Sequence, residues 1–306
     1  MCYFTLFFQE RLNKLRDIKL VYNGALGDTA CLAYAIKYLK EIGILSTVHV
    51  RSNYPRLFNG LCSSNRIAGP EAPNVVRSAP KNSVFKNHTY YKMSRDLYYW
   101  TKFKVKGYQY ISWYRTYIDR DKPLLEIFLR ALHPSINLSN LHEYSFKPWL
   151  KLQHNLDLPR NKIVLAPEAG WACRELRPDA VKKLLAANGL VHENIVVVGV
   201  QPKDDYFSQF IDLRGKLNFD ELLYILNNSS KIITADSGIF HLASLLKKDM
   251  IAFFGPVFPT LRQYPNNNTE IMFRSDLLCG GCSARVDISR YGGGCPLGHN
   301  LCMELA

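Results

Sequence analysis

The sequence predicts an α/β protein of two domains, each built on a mainly parallel sheet, and three observations carry that expectation. Apolar, strand-like runs alternate with amphipathic helical patterns along the chain. The alternation comes in two series, separated by a polar, proline-punctuated stretch from Lys147 to Lys162. A length of 306 residues is enough for two separate cores. The expected domains are 1–150 and 151–306, with a cysteine-rich module over 276–306 closing the second.

In the first series Ile18 to Tyr22 reads as a strand, and Asn23-Gly24-Ala25-Leu26-Gly27-Asp28 as a tight turn. A helix follows with Leu32, Ala35, Ile36 and Leu39 on one face, Gly43 stands where it should end, and Val48 to Val50 is the next strand. This is the opening βαβ unit of a doubly wound domain. From about Ser52 to Lys122 the pattern is poor, and Tyr90 to Ile118 is dense in Tyr and Trp interleaved with Lys92, Arg95, Lys102, Lys104, Lys106 and Arg115. That segment can stack on sugar rings, lie at a membrane surface or bind single-stranded nucleic acid, or simply cover the first sheet.

The second series starts at Ile163 to Ala166. Pro178 suits the first turn of a helix bearing Val181, Leu184 and Leu185, and Ile195 to Val198 is a buried-strand run. Asn218 can cap a helix with Asp220 and Glu221 in its first turn and Phe219, Leu222, Leu223 and Leu226 on its apolar face. Lys231 to Ala235 is a strand, Asp236-Ser237-Gly238 opens a helix with Ile239, Leu242, Ala243 and Leu246 on one face, and Ile251 to Phe254 ends at Gly255-Pro256.

Composition narrows the function. With 47% hydrophobic and 21% charged residues the chain is not intrinsically disordered. No run approaches the ~18 apolar residues of a membrane helix. The N-terminal Phe4, Leu6, Phe7, Phe8 cluster meets Gln9, Glu10 and Arg11 at once, too short for a secretory signal, so a cytoplasmic protein is expected. The formal charge of +13, from 39 Lys and Arg against 26 Asp and Glu, favours anionic partners: sugar nucleotides, acidic lipid surfaces or nucleic acid.

Two loops can carry chemistry, because ligands of open α/β sheets bind beyond the carboxyl ends of the strands, and Asp28 and Asp236 both sit there. Asp236-Ser237-Gly238 with His241 at a helix start is a candidate phosphate seat, although alone it reads more readily as an ordinary capped helix. The Gly24 to Asp28 turn lacks the third glycine of a dinucleotide fingerprint, and a carboxylate there repels a pyrophosphate. Asp28 is better suited as a base or as an acceptor for a hydroxyl, with a helix cap as the plainer alternative. Of eight cysteines, Cys279, Cys282, Cys295 and Cys302 crowd the C-terminus. The Cys279-Gly280-Gly281-Cys282 spacing, with Gly292 to Gly294 as flexible backbone, suits a tetrahedral structural metal, zinc by default or a single iron, with His299 able to replace one thiol and four free thiols as the alternative.

The Gly24-Ala25-Leu26-Gly27-Asp28 turn, the Asp236-Ser237-Gly238 start with His241, Leu242 and Ala243, the later Phe254-Gly255-Pro256 and the closing Cys302-Met303 together resemble the ADP-heptose heptosyltransferase family of inverting glycosyltransferases. The resemblance covers nearly the whole chain in order, except the middle of the N-terminal half. It implies a GT-B fold, two Rossmann-like domains with mainly parallel sheets facing a central cleft. It further implies Asp28 as general base beside an acceptor loop containing Gly24 and Gly27, Ser237, Gly238 and His241 on the donor diphosphate, and Asp236 holding the loop or contacting the donor sugar. Family members often carry a lysine before a Trp-Pro pair; here Glu175 stands near that place, and Arg174 or Arg177 is the candidate substitute. The C-terminal helix that commonly crosses back to the first domain reads as shortened. In the protein-heptosylating branch the resemblance implies bound iron on similar cysteines.

The expected function is transfer of a sugar, heptose from ADP-heptose, to a hydroxyl of a glycolipid, glycan or protein, as in lipopolysaccharide biosynthesis, by a cytoplasmic protein peripheral to an anionic inner membrane face. The alternative is a catalytically idle nucleotide-sugar or glycan-binding protein of the same fold. A metal-ribbon nucleic-acid binder fits the charge and cysteines but leaves the paired Asp28 and Asp236 loops unexplained.

Overall fold

The computed structural model describes residues 16–22, 24–66, 104, 108–111, 119–150, 152, 157–190, 192–201 and 205–304. Most of the basic aromatic segment, the N-terminal apolar cluster and Cys2 lie outside the described residues.

The two expected series form two sheets. The first contains β1 (Arg16–Tyr22), β2 (Leu45–Ser52), β3 (Ser63–Arg66) and β4 (Gln109–Tyr110) in the order β3-β2-β1-β4. The second contains β5 (Ile163–Ala166), β6 (Ile195–Val197), β7 (Ile211–Asp212), β8 (Lys231–Ala235), β9 (Met250–Phe254) and β10 (Thr269–Phe273) in the order β10-β9-β8-β5-β6-β7. Every described pairing is parallel. Parallel strands need covered faces, so their continuous apolar runs are explained by helices on either side.

The helices are α1 (Leu26–Glu41), α2 (Leu124–Leu132), α3 (Pro178–Ala187), α4 (Phe219–Asn227) and α5 (Gly238–Leu245). Pro178 opens α3 as expected, where its missing N–H costs nothing. Asn218 caps α4 through bonds from the N–H groups of Asp220 and Glu221, and the Glu221 carboxylate returns to the Asn218 N–H at 2.7 Å, which completes a capping box.

Period-two alternation divides the second sheet between two cores. Val164, Ile232, Ala252 and Phe254 face a core shared with α1, α2, α4 and α5. Leu165, Ile233, Ile251 and Phe253 face another built from Val181, Leu184 and Leu185 of α3 together with Cys302 and Met303. The cysteine-rich C-terminus therefore lies on the sheet face opposite α5.

Two helices depart from the one-sided pattern read in the sequence. In α1, Thr29 to Ile36 are buried without interruption, and in α5, Phe240 to Leu245 are buried likewise. Each helix covers its own sheet and packs on the other domain's helix, so both sides are enclosed. The joint is extended by Tyr34, whose ring packs on Tyr264 at 5.0 Å and on Phe146 at 4.9 Å. The Asn266 amide adds bonds to the carbonyls of His142 and Tyr144. Arg56 pairs with Asp220 across the same joint, although exposed ion pairs of this kind contribute little. No described helix is long and apolar enough to cross a membrane.

Candidate active site at the joint of the two domains

The two motif loops meet through their glycines. A Cβ at Gly27 would fall 2.6 Å from Cδ2 of His241, and a Cβ at Gly238 would fall 3.0 Å from Cδ2 of Leu26. Each helix start thus carries a glycine that receives a side chain from the other. Gly24 serves differently, since a Cβ there would lie 2.2 Å from the Tyr22 hydroxyl and its bareness lets the Tyr22 ring fold back over the turn.

The turn read at Gly24 to Asp28 is shorter than expected, because Leu26, Gly27 and Asp28 already belong to α1. Asp28 is not the cap of that helix: Ala25 holds the cap position, and no side chain caps it. As the third helical residue, Asp28 lies where the helix dipole favours negative charge. It is half-buried and reaches the edge of the joint.

Asp28 and Asp236 share two cations and are driven apart electrostatically. Burial pushes the Asp28 carboxyl above the usual carboxylate range, against the pull of Arg262 and Arg174, and the Asp236 charge pushes the same way. The nearby Tyr22 hydroxyl works against that rise. Burial also acts against ionised Asp236, but Arg174, then Arg262, outweigh it and hold that carboxyl below the usual range. Arg174 Nη1 donates to Asp236 Oδ2 at 3.0 Å. One carboxylate is fixed in the charged state while its neighbour is made a stronger base.

Around this pair the structure sets the remaining candidates. Ser237 caps α5 by accepting from the Ile239 N–H at 3.2 Å, and the other N–H groups of the first turn have no partner inside the helix. His241 is 4% exposed, and burial lowers its pKa to about 3, so the ring is neutral at pH 7. Its Nδ1 lies 2.8 Å from the Tyr264 hydroxyl. Arg177 goes elsewhere: half its side chain is in solvent, and it faces Glu304 at 3.4 Å. Of the two candidate substitutes for the missing lysine, only Arg174 joins the cluster. Its Nε–H is buried and finds no partner among the described residues.

The Arg174 loop is held from behind by the cysteine module. The Arg174 guanidinium lies 4.6 Å over the Trp171 ring, and Gly293, at φ +82°, packs against Trp171. The Cys173 N–H donates to the Gly293 carbonyl at 3.0 Å. On the neighbouring loop, a Cβ at Gly255 would fall 2.7 Å from the sulfurs of Cys302 and Met303. The Cys173, Cys279, Cys282, Cys295 and Cys302 thiols are close enough to influence one another's ionisation. Burial pushes Cys302 up to about 12. Cys295 moves the other way, since the N–H groups of Asn300, Leu297, Gly298 and His299 outweigh its burial and favour its thiolate. The His299 Nδ1 accepts the Leu301 N–H at 3.1 Å. Among the described residues no three His, Cys, Asp or Glu side chains converge as metal ligands do, and no disulfide forms.

Tyr22, Arg262, Tyr264 and Cys173 escaped the sequence reading. Tyr22 and the Arg262 loop were accessible through the strand-end rule, since they lie at or beyond the carboxyl ends of β1 and β9. Cys173 offered no such signal.

Residues 198–290 match the family described as Glycosyltransferase family 9 (heptosyltransferase). A 49-residue stretch is 35% identical to lipooligosaccharide heptosyltransferase 2 of Haemophilus influenzae, a match spanning 16% of this chain and 14% of that protein. The fold is shared more widely. Escherichia coli ADP-heptose lps heptosyltransferase II matches with a TM-score of 0.56 at 13% identity, over 90% of this chain and 96% of that one. The glycosyltransferase family 9 protein of Veillonella parvula gives 0.57 at 12%, over 87% and 88%. The iron-containing dodecameric glycosyltransferase TibC of enterotoxigenic E. coli gives 0.54 at 12%, over 89% of this chain and 66% of that chain, so about a third of TibC has no counterpart here. The fold is therefore the GT-B arrangement of heptosyltransferases, as the resemblance implied, and 198–290 is a glycosyltransferase family 9 domain.

Two outcomes follow from the interlock. Gly→Ala within a helix ordinarily gains up to ~1 kcal/mol. Gly27→Ala should instead lose about 1–3 kcal/mol by overpacking against the enclosed His241 ring, measured by urea unfolding; a gain in stability sinks the interlock. For His241 the folded pKa of about 3 lies below the ordinary 6.5, so the unfolded chain takes up a proton that the folded protein refuses. Stability conferred by the neutral ring is complete above 6.5 and is lost as pH falls, by roughly 2 kcal/mol at pH 5. His241→Gln should flatten the unfolding free energy between pH 7 and pH 5 by that amount.

Proposed function

We propose that this chain, with its glycosyltransferase family 9 domain, transfers a sugar from an ADP-activated donor, heptose in the first instance, to a hydroxyl with inversion. The observation that carries the reading is the Asp28 and Asp236 pair at the domain joint, one carboxylate made more basic and the other held ionised by Arg174. In the displacement the acceptor oxygen bonds to the anomeric carbon as the bond to the β-phosphate oxygen breaks, and that electron pair leaves with ADP. Asp28 takes the acceptor's proton; its raised pKa makes it a stronger base than an ordinary carboxylate. The Ser237-Gly238 helix start and the unpartnered Nε–H of Arg174 serve the charge that develops on the leaving diphosphate. Asp236 holds Arg174 in place, and neutral His241 supplies shape and a ring nitrogen without adding charge.

The donor class draws support from relatives described as ADP-heptose lps heptosyltransferase II and as heptosyltransferase WaaC with ADP, the latter matching with a TM-score of 0.54. The formal charge of +13 suits an acceptor carried on an anionic glycolipid at a membrane face, with glycan and protein acceptors as the other classes.

A structural zinc or iron on Cys279, Cys282, Cys295 and Cys302 belongs to the same proposal. Two features support it: the thiols' mutual electrostatic influence, and the nest of N–H groups that favours the Cys295 thiolate. TibC, described as iron-containing, lends the choice of iron. Bound there, the ion would cross-link the segments behind Trp171, Cys173 and Gly255, and it takes no part in the transfer.

Asp28→Asn should lower transfer by about 10²–10⁴-fold while ADP affinity stays within a few-fold; retained turnover excludes Asp28 as the base. In a thermal-shift panel of ADP, UDP, GDP and CDP, ADP alone should raise the Tm. A flat panel overturns the donor assignment, and a response to ADP without transfer to any acceptor points to the idle alternative. Metal analysis of protein purified without chelator should find one zinc or iron per chain, lost in Cys295→Ser; a metal-free yet folded protein removes the metal.

A further inference from the structure

One cation of the site has no assigned role. Arg262 stands at the C-terminal end of the short 3-10 turn Pro259–Leu261, on the loop that leaves β9 at Gly255-Pro256. Two residues further on, Tyr264 fixes this loop to both domains: its hydroxyl lies 2.8 Å from His241 Nδ1 of α5, and its ring packs on Tyr34 of α1. Tyr264 thereby anchors at the joint the loop that carries Arg262.

Arg262 and Arg174 differ in how they are engaged. Arg174 is bound to Asp236 at 3.0 Å. Arg262 acts electrostatically on Asp28, Asp236 and His241, yet among the described residues it forms no ion pair, and its Nη1 donates only to the Leu261 carbonyl at 3.1 Å. A guanidinium has five N–H donors, so most of this fork remains for a ligand. It is partly exposed and can be reached. The lysines that follow α5 do not compete: Lys247 Nζ bonds the Asn266 carbonyl, and Lys248 Nζ bonds the Asn227 carbonyl, both at the far end of that helix.

We infer that Arg262 is a diphosphate-binding residue, its guanidinium taking phosphate oxygens of the donor opposite the Ser237-Gly238 helix start. This rests on the ADP-sugar reading above and deepens it, because it gives a loop arginine the role for which the sequence shows no lysine. The planar fork can engage two oxygens of one phosphate at once, and the charge on those oxygens grows as the sugar departs.

The test measures ADP, AMP and adenosine binding by calorimetry to the wild-type chain, Arg262→Gln and Arg262→Lys. Wild type should prefer ADP to adenosine. Arg262→Gln should weaken ADP by about 10- to 100-fold and leave adenosine unchanged, which also verifies its fold; Arg262→Lys should recover part of the loss. If the glutamine variant does not fold, the lysine variant decides by the same comparison, with ADP weakened several-fold and adenosine not. An ADP preference that survives Arg262→Gln within twofold overturns the role of Arg262 alone. A wild-type chain indifferent to ADP over adenosine overturns both this role and the donor assignment.

Discussion

Everything in the candidate site depends on how closely two helix starts approach each other. Gly27 of the first domain receives His241 of the second, and Gly238 of the second receives Leu26 of the first. Side chains at either glycine would force α1 and α5 apart and carry Asp28 away from Asp236 and Arg174. The contact also explains why two helices with ordinary sequences are buried on nearly all sides. A phosphate seat and a base on separate domains make one site only if such a joint exists.

Within the joint, charge is distributed by unequal partnership rather than by burial alone. Both carboxylates lose hydration, yet Asp236 bonds Arg174 directly while Asp28 has a tyrosine hydroxyl and more distant cations. The first arrangement stabilises the anion more than desolvation disfavours it; the second does not. His241 resolves the same competition by staying neutral, which spares the site a third positive charge beside its two arginines.

Much of this was legible in the chain. Apolar runs gave the inner strands β1, β2, β5, β6, β8 and β9 but not the edge strands β3, β4, β7 and β10, and local chemistry that acts within a few residues gave the Pro178 start and the Asn218 capping box. The candidate residues Asp28, Asp236 and Ser237 were visible because strand ends in parallel sheets are where ligands bind, and Arg174 was visible through the resemblance. What stayed hidden depends on distant partners. Nothing near Gly238 says that its Cα also faces Leu26, more than two hundred positions earlier in the chain. Nothing near Tyr264 says that it meets His241 and Tyr34. Arg174 and Arg177 are equivalent on paper, and only the three-dimensional path sends one to Asp236 and the other to Glu304. Helix α2 had no motif to announce it, and Cys173 joins the other thiols from more than a hundred residues away.

The reciprocal seating of the two glycines has a mechanical consequence. Where two bodies touch through fitted protrusions, relative sliding is blocked, and rotation about the contact is the motion that disturbs it least. The joint between α1 and α5 is thus a fulcrum. A small turn there moves the outer rims of the two sheets through the longest arcs, while the Asp28 to Asp236 separation, lying beside the axis, hardly changes. Any relative turning of the two sheets would therefore be felt at their rims and least at the two carboxylates.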